Sequence, residues 1–126
     1  MTRRLVLPLL LALAACSQER PAERPAVSPA ARITGEAVSC IPLAQISETR
    51  VRDDWTIDFL STGKRGWRNS LTARCPGLRS NDAITYETSL SQLCSTDIVY
   101  VLETVPAPRR GAACSIGKFV PVELDR

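Results

Sequence analysis

Apolar and polar positions divide the chain into three stretches. The first, residues 5–15, is an apolar run behind Arg3 and Arg4, the layout of an export signal. Eleven residues in a helix, at ~1.5 Å each, reach about half of a ~30 Å hydrocarbon core, so the run is a targeting segment and not a span. The second stretch, residues 17–32, reads SQERPAERPAVSPAAR, with Pro21, Pro25 and Pro29 at regular spacing and Val27 as its one large apolar side chain. It buries too little to fold and is expected as a disordered or polyproline-like tether, its doubled ERPA a low-complexity feature and not a binding repeat. At ~3.1 Å per residue such a tether reaches at most about 50 Å. The third stretch, residues 33–126, carries the alternation of a folded domain.

Within that domain the pattern favours strands. Residues 55–60 alternate aromatic and β-branched types with polar ones, and Asp53 and Asp54 make a turn between them and residues 49–52. Residues 61–66 hold Gly63 and Gly66 and read as a second turn, so residues 67–72 return as the third strand of a meander. Trp55 and Trp67 are expected as core residues and not as ligand platforms, and stand where they could pair across that hairpin. Cys75, Pro76 and Gly77 break regular structure. Further strands are expected at 83–88, 97–104 and 115–122, and the apolar run Ile98 to Leu102 suggests a central strand or burial on both faces. One helical turn fits residues 41–46, where Pro42 suits a helix start. The expected fold is mainly β: a small antiparallel sheet or barrel-like domain over residues 33–126, after a signal peptide (1–15) and a tether (16–32).

The end of the apolar run changes the reading of the whole chain. Leu13, Ala14, Ala15 and Cys16 stand where an export signal is cleaved, and this sequence resembles the lipobox of bacterial lipoproteins. That resemblance implies diacylation of Cys16 and cleavage before it, leaving Cys16 as a lipidated N-terminus facing the periplasm. Two or more acyl chains give durable anchoring, since each buried CH₂ contributes ~0.8 kcal/mol. Ser17 follows the cysteine, and an Asp there would favour inner-membrane retention, so by the same resemblance the outer membrane is the expected address.

Composition narrows the domain further. The 111 residues after the signal suit one modest core. The chain carries +3 overall, but residues 33–126 hold 11 Lys and Arg against 11 Asp and Glu, so the basic excess expected of a nucleic-acid binder is missing. Of the five cysteines, lipid takes Cys16 and leaves Cys40, Cys75, Cys94 and Cys114. An even number in an oxidising compartment implies two disulfides, with three pairings open. A nested arrangement would close Cys75 on Cys94 and tie Cys40 to Cys114. No C-x₂-C pair occurs, which argues against zinc-ribbon and thioredoxin-like chemistry, and no metal or cofactor is expected.

The chain has no histidine. This removes Ser-His-Asp and Cys-His triads and H-E-x-x-H zinc sites. Asp53, Asp54 and Asp58 could form an acidic cluster, but the first two sit at the expected turn, where Asp is favoured for local hydrogen bonds, and no calcium-loop pattern follows. Lys64, Arg65, Arg68, Arg74 and Arg79 flank Trp67 and together make the candidate contact surface for an anion, a glycan, acidic lipid headgroups or an acidic partner, although a solvated hairpin tip is the plainer reading.

Trp67 to Leu71, then Cys75 to Leu78, Leu93 to Asp97 and Cys114 to Phe119, look like segments of a family of small uncharacterised proteobacterial exported proteins. The resemblance spans roughly residues 40–120, implies the domain boundaries and the four-cysteine pattern, and carries over no catalytic residue. The expected function is a non-catalytic binding or envelope-structural module, reaching the membrane through Cys16 and meeting an envelope protein or an anionic glycolipid. An alternative is an inhibitor of a lysozyme-type hydrolase, a role filled by some small disulfide-bonded β-barrel lipoproteins. A third is an enzyme using convergent carboxylates from Asp58, Glu87 or Asp97.

Overall fold

A computed structural model describes Arg24, residues 26–88 and residues 90–125. The signal segment, Cys16 and most of the tether lie outside the described residues.

The meander expected from alternation forms the centre of the main sheet. β3 (Glu48–Asp53), β4 (Thr56–Thr62) and β5 (Arg65–Ser70) pair antiparallel in sequence. Asp53 accepts the backbone N–H of Trp55 at 2.7 Å, the local side-chain bond that favours Asp at a turn. Gly63, with φ 57°, supplies the left-handed conformation of the next turn. The chain ends complete the sheet: β10 (Phe119–Leu124) lies on β5, and β1 (Ala31–Ile33) on β10, giving the order β1-β10-β5-β4-β3. Two smaller antiparallel sheets face it, β2 (Cys40–Pro42) with β7 (Gln92–Cys94), and β6 (Ile84–Tyr86) with β8 (Ile98–Glu103) and β9 (Arg109–Ser115). A 3₁₀ turn (Leu43–Gln45) follows β2, and a one-turn helix α1 (Leu78–Asn81) follows the Cys-Pro-Gly break.

The core lies between these layers. Val51, Ile57, Phe59 and Phe119 project from the inner face of the main sheet onto Ile41, Leu78, Leu93, Val99 and Val101. The Phe59 and Phe119 rings meet edge to face with centroids 5.6 Å apart. Because side chains alternate along a strand, Thr56, Asp58 and Leu60 point the other way, and Leu60 joins Val122 and Leu124 in a second, smaller cluster on the outer face.

Antiparallel β architecture is as expected, and of sheet and barrel the molecule takes the sheet: β1 and β3 are its edges. Four details differ from the sequence reading. The folded part begins before Ile33, since Ala31 and Arg32 already pair with Leu124 and Glu123. The run around Ile98 does occupy the central strand of its sheet, but burial alternates, with Val99 and Val101 inward and Ile98 exposed. Residues 115–122 are not one strand. They contain the end of β9, a break at 116–118 and the start of β10. At that break the buried Asn69 amide donates to the Gly117 carbonyl at 2.8 Å and accepts its N–H at 2.9 Å, taking bonds that a continuous strand would give to a neighbour. Finally, Trp67 stands opposite Phe59, not Trp55, because Trp55 sits in the β3–β4 turn.

The disulfides cross instead of nesting. Cys40 bonds Cys94 and Cys75 bonds Cys114, so neither predicted bridge of the nested scheme, Cys75 to Cys94 or Cys40 to Cys114, is formed. Strand pairing dictates this: Cys40 and Cys94 are register partners on β2 and β7, while Cys114 on β9 faces the core where Cys75 enters.

Candidate functional site

The side chains that sequence grouped into one basic surface go to three places. Lys64 is exposed at the tip of the β4–β5 turn, and Arg65 and Trp67 follow on the inner side of β5. Arg68, next along the strand, points to the outer face. Arg74 and Arg79 lie beyond Ser70, at the opposite end of the sheet.

Asp58 explains where Arg68 goes. Its carboxylate is fully buried and accepts Arg68 Nε at 2.8 Å on Oδ1, with Arg68 Nη2 at 2.9 Å and Arg52 Nε at 2.8 Å on Oδ2. A buried carboxylate persists only when its lone pairs are filled, and here two guanidiniums fill them. Arg68 also donates to the Pro29 carbonyl at 2.8 Å, fastening the incoming chain to the sheet. The group is a structural clasp.

The other carboxylates that an enzyme would need do not converge with it. Glu87 pairs with Arg110 on the surface. Asp97 accepts the Cys94 N–H at 2.7 Å in the β7–β8 turn. Each of these three acids thus has its own partner, and their carboxylates do not converge. Among the described residues no group of three or more Cys, Asp and Glu side chains is arranged to hold a metal ion.

Two grooves lie at opposite ends of β4. The larger, about 540 Å³, opens at the β4–β5 turn. Trp67, which also packs against the core, and Pro121, its register partner on β10, line it. Beside them runs a row across three strands, Arg32, Glu123 and Arg65, also in register. Glu123 accepts Arg32 Nη2 at 3.1 Å and stands 3.6 Å from Arg65 Nε. Both arginine side chains are more than two-thirds exposed, so this carboxylate spaces them without consuming their hydrogen-bonding capacity. Thr34, Gln45, Ser61 and Thr62 complete the rim with hydroxyls and an amide. The partly buried indole, a neutral polar rim and two guanidiniums can hold a polar ligand that bears an anionic group.

The smaller groove, about 400 Å³, lies at the β3–β4 turn between Arg52, Asp53, Asp54, Trp55, Arg74 and Arg79, with Ala26 and Ser28 along one side. Asp54 organises it, accepting Arg74 Nη2 at 2.7 Å and the Arg79 backbone N–H at 2.8 Å. Arg24 lies 4.0 Å over the Trp55 ring.

Of the candidate residues, the structure therefore brings Arg65 and Trp67 together, with Lys64 at the turn beside them, and separates Arg68, Arg74 and Arg79. Sequence reasoning missed Arg32, Glu123 and Pro121 in the first groove and Arg24 stacked over Trp55 beside the second. The one signal available was an Arg in each of two strands and a Glu in a third between them, and that becomes visible only once β1, β10 and β5 are aligned. Compared with family models, curated proteins and solved structures, the chain matches none of them.

Proposed function

We propose that this chain is a lipid-anchored protein of the cell envelope, acylated on Cys16 and facing the periplasm from the outer membrane, that acts as a non-catalytic binding module. The address is supported by the Leu13 to Cys16 motif behind an eleven-residue apolar run. The binding role is supported by the groove at the β4–β5 turn, and the single observation that carries it is the in-register row of Arg32, Glu123 and Arg65 beside Trp67. Two separated guanidiniums suit phosphate or carboxylate, and the indole with its hydroxyl and amide rim suits a sugar ring. The fitting ligand class is a sugar that carries a phosphate or carboxylate and is free of the membrane. The hydrolase-inhibitor alternative gains nothing from this geometry, which offers a concave site for a small polar ligand and not a projecting loop.

The test is a fluorescence titration of the full acylated chain in detergent with an acyl-free phosphorylated disaccharide and with its unphosphorylated counterpart. Saturable binding that prefers the phosphorylated form is expected, weakened about tenfold by Arg65→Gln, in line with loss of one charge-assisted hydrogen bond worth roughly 1.5 kcal/mol. Equal response to both sugars, or none, contradicts the reading.

A further inference from the structure

The chain is fastened along the sheet well before its first strand. Arg24 stacks on Trp55 and its guanidinium lies 3.4 Å from the Leu71 carbonyl oxygen. Ala26 and Ser28 line the smaller groove, Arg68 holds the Pro29 carbonyl, and the Ala30 carbonyl accepts the Asp125 N–H at 2.8 Å. The distance from Cys16 to the folded body is therefore set by the residues up to Arg24 and not by the whole tether. Eight steps of chain extend at most about 28 Å, whatever their conformation.

An anchor held that close selects which part of the molecule meets the bilayer. At this corner four guanidiniums (Arg24, Arg52, Arg74, Arg79) stand against two carboxylates (Asp53, Asp54), Arg52 being also tied to the buried Asp58. The Arg74 side chain is 58% exposed, and the Arg79 side chain makes no ion pair among the described residues. Trp55 between them is the residue type that settles at headgroup level. We infer that the corner of Arg24, Trp55, Arg74 and Arg79 rests on an anionic bilayer surface, an inference that depends on the proposed acylation of Cys16. The larger groove lies at the other end of β4, seven residues or about 23 Å along the strand. It then faces away from the membrane and stays open.

The experiment uses the full acylated chain floated with vesicles that contain a headgroup-linked quencher, either zwitterionic or with added phosphatidylglycerol. Trp55 emission is read as the difference between the wild type and Trp55→Phe, which leaves Trp67 as internal control. Quenching of Trp55 but not Trp67 in the anionic vesicles is expected, with contact reduced about fivefold for each arginine removed in Arg74→Gln and Arg79→Gln. A chain that floats while Trp55 is unquenched, or is quenched alike in both vesicle types, overturns the inference and leaves acylation standing. A chain that carries no acyl group and does not float overturns both.

Discussion

Asp58 is the residue on which the outer face of the main sheet depends. Removing its carboxylate leaves Arg52 and Arg68 side by side, each less than a fifth exposed, with no counter-charge between them. Breaking a buried pair in this way costs 3–5 kcal/mol in general, and because both arginines retain some contact with water the lower end applies. Asp58→Ala should therefore lose about 3 kcal/mol in urea unfolding, and a loss within 0.5 kcal/mol, the ~range of ordinary surface changes, would contradict the clasp. Tyr86 gives a second test at this scale. Burial pushes its hydroxyl above the ordinary value of 10.0, so the neutral form is favoured in the folded state. Its contribution to stability is then complete below pH ~10 and is lost as pH rises through the folded value. Tyr86→Phe should flatten the alkaline fall in stability, and an unchanged alkaline profile would remove Tyr86 as its source.

At the scale of elements, legibility followed length except at β6, read despite its three residues, and β9, missed despite its seven. β3, β4, β5 and β8 each have at least six residues, enough to show alternation, and turn residues bracket them. β1, β2 and β7 have three residues each and cannot display a period; long-range pairing makes them strands. β9 reads RRGAACS, with little β-branched character, and forms because β8 offers it a partner. The site was legible to the same extent. Neighbours in sequence were grouped as one surface, but Trp67 and Arg68 are consecutive in a strand and must face opposite ways. The true neighbours of Arg65, Arg32 and Glu123, come from the two ends of the domain. The disulfides allow a test of what each crossing contributes. Loop length alone ranks Cys40–Cys94, separation 54, slightly above Cys75–Cys114, separation 39, each at roughly 4 kcal/mol. Cys75 is fully buried in the core, however, and Cys40 is not, so replacing the pair by serine also sets hydroxyls among apolar side chains. Cys75→Ser with Cys114→Ser should lower the urea midpoint more than Cys40→Ser with Cys94→Ser, and the reverse order would assign the stabilisation to loop closure alone.

For the whole molecule, the sheet separates two arginine-bearing ends that its overall charge conceals. One end is joined to the incoming chain through Arg24, and the other carries the Trp67 groove between β1, β10 and β5. Crossed disulfides tie the small sheets to that frame, which gives a domain of this size support beyond its single core. All of this supposes an oxidising compartment and a lipid at the start of the mature chain. Mass spectrometry of the native protein, digested without reduction, reads both at once. It should find a diacyl or triacyl group on an N-terminal Cys16 and cross-linked peptides joining Cys40 to Cys94 and Cys75 to Cys114. An unmodified chain starting at Met1, or four free thiols, would contradict it.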